Sequence, residues 1–428
     1  MYDMKYKILN LGCPKNLVDG EILAGTLANN LSQMNVPDGS LIINTCSFIA
    51  PARVEAMSEI RSAVEKKRRG EISSVYITGC MVKSHLDEIR AIDGIDGVIE
   101  PVFTWEGLFD RKELFHNRVL ASNLGSAYVR IADGCNRRCS YCLIPSIRGP
   151  YRSRKLRDII SEVEFLANKD IKEIIIISED VGLYGSDIDG VRTLSKLLVS
   201  LDRITGIKWI RLLYLNPESI TPDLLEVISS SEKVLHYLDI PLQHTNSRIL
   251  TVMGRNPLSL PYAEWLRNIY NIIPDAVVRL TFMVGFPSET EDEFGSLLED
   301  IRKQPPDHLA AFVYSQEKNT IAGEMKPQIS DAIKCKRYSQ LLGLFYRLGI
   351  EKKRQRFTGS NMEVMLEDID VNLPYSLGRG SAGRLWFQAP DIDGKIFILG
   401  HKVGEAGEII SVLVDGVKGY DFVGSVIT

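Results

Sequence analysis

Between Cys135 and Cys142 the chain reads C-x3-C-x2-C, three thiols on one short loop directly after a β-rich run at residues 127–132. Thiols this close in sequence point to a shared metal or cluster. The chain has 428 residues and seven cysteines, an odd number, so a disulfide framework is not expected. The start, MYDMKYKILNLG, has no leader pattern, and no apolar run is long enough to cross a bilayer. A cytoplasmic protein without membrane contact is the expectation. Ferredoxin-type sites use four cysteines per 4Fe-4S cluster, and no fourth follows here. One iron would stay open to a small ligand. A three-cysteine zinc site completed by a distant histidine is the alternative.

The cysteine loop opens a longer alternation. Six β-rich segments, at 127–132, 173–178, 210–215, 236–242, 278–286 and 308–315, are separated by helical patterns such as 156–168, 193–201 and 222–229. Right-handed crossovers wind such a run into a partial (β/α)6 barrel, here residues 122–357. An amphipathic stretch at 331–356 closes it, ending in Lys352, Lys353, Arg354 and Arg356, which read as a solvated helix end. Residues 1–121 alternate strands at 5–11, 41–45 and 75–78 with helices at 17–31, 51–67 and 84–92, which predicts an N-terminal parallel α/β domain. Residues 358–428 carry short alternating strands at 362–367, 383–387, 395–399, 409–414 and 421–427, which predicts a small antiparallel β-barrel. The fold class is therefore α/β, in three domains.

Each N-terminal strand runs into a cysteine: LNLGC at Cys13, IINTC at Cys46 and YITGC at Cys80. Cys46 follows Cys13 by 33 residues and Cys80 follows Cys46 by 34, about one βα unit each. Strand ends of a parallel sheet share one edge, where ligands bind, so a second three-thiolate cluster competes with three buried structural thiols. Cys335, with apolar neighbours three and four residues away, reads as a buried free thiol. Gln243 and His244 follow one barrel strand; Gly285 and Glu289 follow the next. That rim is where catalytic groups sit, although structural hydrogen bonding is the simpler role. Arg148, Arg152 and Arg154 form either a solvated basic loop or a carboxylate or phosphate clamp.

The chain resembles the methylthiotransferase family of radical S-adenosylmethionine (SAM) enzymes over essentially its whole length. The resemblance rests on LGCPKNLVDGE (11–21), INTCSFI (43–49), TGCM (78–81), CNRRCSYCLIPSIRG (135–149), DIPLQH (239–244) and GFPSETEDEF (285–294). It is nearest to the branch that modifies an aspartate of a ribosomal protein. The tRNA branch usually has Gln-Met where Pro14 and Lys15 stand. The resemblance implies a C-terminal TRAM domain and two 4Fe-4S clusters, one on Cys13, Cys46 and Cys80 and a radical-SAM cluster on Cys135, Cys139 and Cys142. It implies SAM used both as methyl donor and as radical source. Tyr141, Glu179, Gln243, Gly285 and Glu289 are the candidate cofactor contacts. The reaction implied is methylthiolation at the β-carbon of an aspartate in the twelfth small-subunit ribosomal protein, with an external electron donor and a sulfur source. The chain departs from the family at Asp19-Gly20-Glu21, where Asp-Ser-Glu is common. It departs again at Glu179-Asp180-Val181, where Gln-Asp-Thr is usual, and at Ser47, where Gly is usual.

Charge separates the candidate substrates. Residues 359–428 hold ten acidic side chains against five basic ones, a net of −5, and the whole chain carries −4. Phosphate neutralisation needs a basic surface, so direct nucleic-acid binding is not expected and a basic ribosomal protein is the better partner. A tRNA methylthiotransferase acting beside the anticodon and a two-cluster electron-transfer protein are the competing functions.

Overall fold

The computed structural model describes residues 6–29, 36–105, 107–121, 125–188, 190–400 and 403–427. Leu31 and Lys5, the outer ends of two expected elements, lie outside them. Four parallel strands, β1 (Tyr6–Asn10), β2 (Ser40–Thr45), β3 (Val75–Gly79) and β4 (Gly97–Val98), form the first sheet in chain order. Helices Pro14–Ala28 and Ala50–Arg68 make the first two crossovers. The single helix expected at 84–92 is two short ones, Cys80–Ser84 and Leu86–Arg90, so that Cys80 opens a helix directly from β3.

β5 (Ser126–Arg130) leads into the cysteine loop, whose base is pinned by a two-residue ribbon, β6 (Ala132–Asp133) against β7 (Arg152–Ser153). β8 (Glu173–Ile177), β9 (Trp209–Leu212), β10 (Val234–Gln243), β11 (Val277–Val284) and β12 (His308–Val313) follow. The six long strands form one all-parallel sheet in the order β12-β11-β10-β9-β8-β5, with β5 and β12 as free edges: a partial barrel. Alternation along each strand sorts the two faces. Ile174 and Ile176 pack among the outer helices, while Ile175 and Ile177 join a core shared with Val18 and Ile22 of the first unit and Leu366 and Phe422 of the last. Both faces are thus buried, as a parallel sheet requires.

β13 (Asn361–Leu373), β14 (Gly378–Leu385), β15 (Ile396–Leu399), β16 (Ile409–Lys418) and β17 (Asp421–Val426) close into a barrel in the order β13-β14-β15-β17-β16. All pairs are antiparallel except β15 with β17, which skips β16 and so runs parallel. This barrel sits under the N-terminal ends of the central strands. Arg384 bridges Glu173 at 2.6 Å and Glu367 at 2.5 Å, Arg211 bridges Glu173 at 2.7 Å, and Tyr237 donates to Asp393 at 2.5 Å. Burial opposes the Glu173 charge, but Arg384 and Arg211 together hold its carboxyl below the usual range. The stabilisation is present above the unfolded carboxylate value and lost as pH falls through the lower folded one. Acidification below about pH 4 is therefore expected to loosen this junction. Limited proteolysis at residues 358–360 should report it, with Arg384→Met cut already at neutral pH; a junction equally resistant in both would contradict this account.

Two expectations are corrected here. Cys335 is exposed, not buried. Helix Asp331–Phe357 presents Lys334, Arg337, Leu341, Leu344 and Phe345 inward, and one residue beyond Lys334 turns about 100° away from that face. Apart from exposed Arg354, the basic run is not a solvated helix end either. Lys352 and Arg356 both pair with buried Asp307, at 3.0 and 2.7 Å, and Lys353 is buried with its ammonium on the Tyr420 carbonyl at 3.1 Å. No helix among the described residues is long and apolar enough to cross a membrane.

Candidate active site

Parallel register places Asn10 opposite Asn44 and Thr45 opposite Gly79, so the cysteines just after these strands arrive at one edge. The packing there is close. A Cβ on Gly12 (φ +89°) would stand 2.8 Å from the Cys46 sulfur, and one on Gly79 (φ +93°) 2.4 Å from the Thr45 carbonyl oxygen. Only glycine accepts both the left-handed backbone and that approach. Asn16 and Asn44 lock the edge: Asn16 Nδ2 donates to the Leu11 carbonyl at 2.7 Å, and Asn44 Nδ2 to the Asn16 carbonyl at 2.7 Å. At Gly20, where the family commonly has serine, a side chain would meet only the movable amide end of Asn10, its Cβ falling 1.9 Å from Oδ1.

The second triad is held by its own loop. Gly134 (φ +77°) tucks under Pro150, and Cys135 N–H donates to the Gly149 carbonyl at 3.1 Å. The Arg137 and Ile144 N–H groups each point at a cysteine sulfur, Cys135 and Cys142, at 3.4 Å. Ser140 donates from its backbone to Met253 O and from Oγ to Val252 O, both at 2.9 Å, which seats the loop on helix Ser247–Val252. Burial pushes the Cys80 and Cys142 thiols up to about 12 and raises Cys46 and Cys135 as well. A metal taken up by these thiols would have to displace protons.

A buried charge network joins the two triads. Arg148, six residues past Cys142, reaches Asp19 at 2.9 Å, Asp133 at 3.1 Å and the Cys80 sulfur at 3.8 Å, with its guanidinium 4.4 Å over the Phe103 ring. Arg130 pairs with both Asp19 and Asp133, the latter at 3.2 Å. The solvated-loop reading of the arginines fails for Arg148, and for Arg154, which is buried on Glu162 at 2.5 Å. They clamp carboxylates of the chain itself. Lys15, two residues after Cys13, lies 3.7 Å from Glu179 and 4.6 Å over the Tyr214 ring. Burial drives the Glu179 carboxyl up to about 7 against the pull of Lys15 and Arg148, and neither of its oxygens has a hydrogen-bond partner among the described residues.

The rim residues divide by what they touch. Glu289 has both oxygens occupied, by His244 Nε2 at 3.2 Å and by Gly285 N–H and Arg337, each at 2.6 Å. Asn246 N–H donates to His244 Nδ1 at 2.9 Å, which leaves the ring proton on Nε2. Gly285 (φ +73°) lets β11 pass against Lys334. Gln243 differs: it holds φ +75°, sits at a register irregularity of β10, and its side chain has no protein partner among the described residues. Tyr214, just past β9, shares that left-handed backbone (φ +65°). Non-glycine residues held there cluster at functional sites. Tyr141 packs edge-on to Phe286 and takes Arg255 Nη1 at 3.4 Å, and the same Nη1 lies 4.0 Å from the Cys139 sulfur. Sequence reasoning assigned no role to Lys15, Tyr214 or Arg255. Only Tyr214 had a signal that could have found it, its place at a barrel-strand end.

In number, each set of three thiols without a local fourth matches a cluster that leaves one iron for a ligand, but among the described residues no three His, Cys, Asp or Glu side chains lie close enough together to hold a metal ion. Radical SAM superfamily similarity covers residues 129–301, the uncharacterized protein family UPF0004 matches residues 5–100, and a TRAM domain matches 358–427. Over nearly its whole length the chain is similar to proteins named ribosomal protein uS12 methylthiotransferase RimO. It is 37% identical to that of Acetivibrio thermocellus, over 99% of this chain and 98% of the relative. For the protein of Caldicellulosiruptor saccharolyticus the values are 38%, 99% and 100%, and for that of Aquifex aeolicus 36%, 98% and 97%.

Proposed function

Since the chain belongs to the RimO family of ribosomal protein uS12 methylthiotransferases, within the radical SAM superfamily, we propose that it places a methylthio group on the β-carbon of an aspartate of uS12, using one three-cysteine site for each of two 4Fe-4S clusters. It is a SAM-dependent transferase of a sulfur-containing group. The observation that carries the two-cluster reading is the network between the triads: Arg148, from the Cys142 side, reaches Cys80, while Lys15, beside Cys13, reaches Glu179 beyond β8.

Cys135, Cys139 and Cys142 would hold the cluster that takes SAM, and Cys13, Cys46 and Cys80 would hold the one that presents sulfur. When bound, these groups supply a low-potential electron, a carbon-centred radical from SAM, and the methylated sulfur. The chain does the positioning. Glu179 has both oxygens unpartnered among the described residues, Gln243 ends β10 on a left-handed backbone, and Tyr141 accepts from Arg255 on the Cys139 side. Glu289 acts through His244, Gly285 and Arg337, tying β10, β11 and the long helix into one rim. The division into 1–121, 122–357 and 358–428 follows these tasks: sulfur site, radical site and an acidic substrate-facing barrel. The setting is cytoplasmic, with an external electron donor and a separate sulfur source.

The test gives anaerobically reconstituted enzyme both uS12 and tRNA, with SAM and a low-potential reductant. The expected result is a uS12 peptide heavier by one methylthio group in place of hydrogen, with tRNA unchanged. Methylthiolated tRNA and unmodified uS12 would reverse the assignment.

A further inference from the structure

We propose that Lys15 receives the side-chain carboxylate of the target aspartate and is the residue that selects aspartate over asparagine; this rests on the function proposed above. Hydrogen removal and sulfur transfer act on one β-carbon, so that carbon must lie between the two triads. The carboxylate is bonded directly to it and falls in the same space. Arg255, on the Cys139 side, is engaged by the Tyr141 hydroxyl and the Pro241 carbonyl, and three further cations lie near the two triads. Arg148 is committed, with Nη1 on Asp133 and Nη2 on Asp19 and Cys80. Arg130 is fully buried against Asp19 and Asp133.

Lys15 is different. Among the described residues its only hydrogen bond is a long one, 3.5 Å, to the Ser178 carbonyl. Glu179 stands at 3.7 Å, near enough to attract but outside hydrogen-bond distance. An ammonium carries three protons, so two are unplaced in a site where Lys15 is only 8% exposed. Glu179 has both oxygens unpartnered among the described residues. Such a half-satisfied buried pair is costly unless another polar group completes it. The Tyr214 ring, on its left-handed backbone, forms the other wall of the space at 4.6 Å from the ammonium. A carboxylate completes Lys15 with charge-assisted hydrogen bonds. An amide of the same shape offers only a neutral oxygen, and that difference corresponds to roughly 10- to 100-fold in affinity.

The experiment measures binding of two uS12 peptides, one with aspartate and one with asparagine at the target position. It uses cluster-loaded protein with SAM and no reductant, so that nothing turns over, and iron content is checked for every variant. Wild type and Lys15→Arg are expected to favour the aspartate peptide by roughly 10-fold or more. Lys15→Gln should bring the ratio to about one. Glu179→Gln, which removes the competing carboxylate and keeps Lys15, should raise it. Unchanged ratios in Lys15→Gln would overturn the proposal. If that variant loses its iron, an unchanged ratio in Glu179→Gln overturns it instead. Wild-type methylthiolation of the aspartate peptide, run alongside with reductant, keeps the two claims apart: its absence sinks the proposed function, whereas its presence with insensitive ratios sinks only the role of Lys15.

Discussion

Replacing Cys135, Cys139 and Cys142 together with alanine should lower iron from about eight to about four per chain and abolish SAM cleavage. Replacing Cys13, Cys46 and Cys80 should remove the same amount of iron yet leave SAM cleavage in place while methylthio transfer stops. The asymmetry follows from the two settings. The first triad lies on a loop pinned by β6 and β7 and walled by Tyr141 and Arg255. The second lies at the edge of a separate sheet. Each is held by its own backbone, so loss of one leaves the other standing. Iron analysis and quantification of 5′-deoxyadenosine check this. Iron that stays at about four per chain in wild type, or SAM cleavage lost equally in both variants, would contradict it.

Arg148→Met should lower the stability of the iron-free protein by about 3–5 kcal/mol, because it leaves Asp19 and Asp133 buried with a single cation between them. In melting temperature that is roughly 3–6 °C for a chain of this length. Asp133 carries a pH signature. Burial works against its charge, but Arg148 and Arg130 hold its carboxyl below the usual range. Its contribution is complete above the unfolded carboxylate value of about 4 and disappears as pH falls through the folded one. Without Arg148 the folded value rises, so acid unfolding should begin at higher pH. Adding Asp19→Asn to Arg148→Met should cost less than the sum of the two single changes, since the partners share one network. Strict additivity, or a melting point unmoved by Arg148→Met, would show that the network holds nothing together.

Much of this architecture was legible before any coordinates. The six central strands lie within a few residues of their expected places, because a buried parallel strand is a dense apolar run, whereas in the last barrel β13 runs six residues past its expected end and β14 begins five residues early. The basic run at 352–356 misled for a physical reason. Lys and Arg at a helix end usually face water, and nothing local announces Asp307, which lies about 45 residues upstream. Cys335 misled similarly: apolar neighbours at helical spacing set a face, but Lys334 and Arg337, not Cys335, lie on it.

Local spacing was enough, by itself, for the cysteine loop at 135–142 and the α/β alternation, since a loop's thiols and a strand's period are properties of consecutive residues. Pairing across the fold was decided only in three dimensions. Arg148 meets Asp19 across 129 residues, Lys15 meets the carbonyl next to Glu179 across 163, and Arg384 meets Glu173 across 211. Which charges are neutralised, and which one is left reaching into the space between the triads, depends on how separate units bury one another, because a charge removed from water must find its partner wherever the chain happens to bring one.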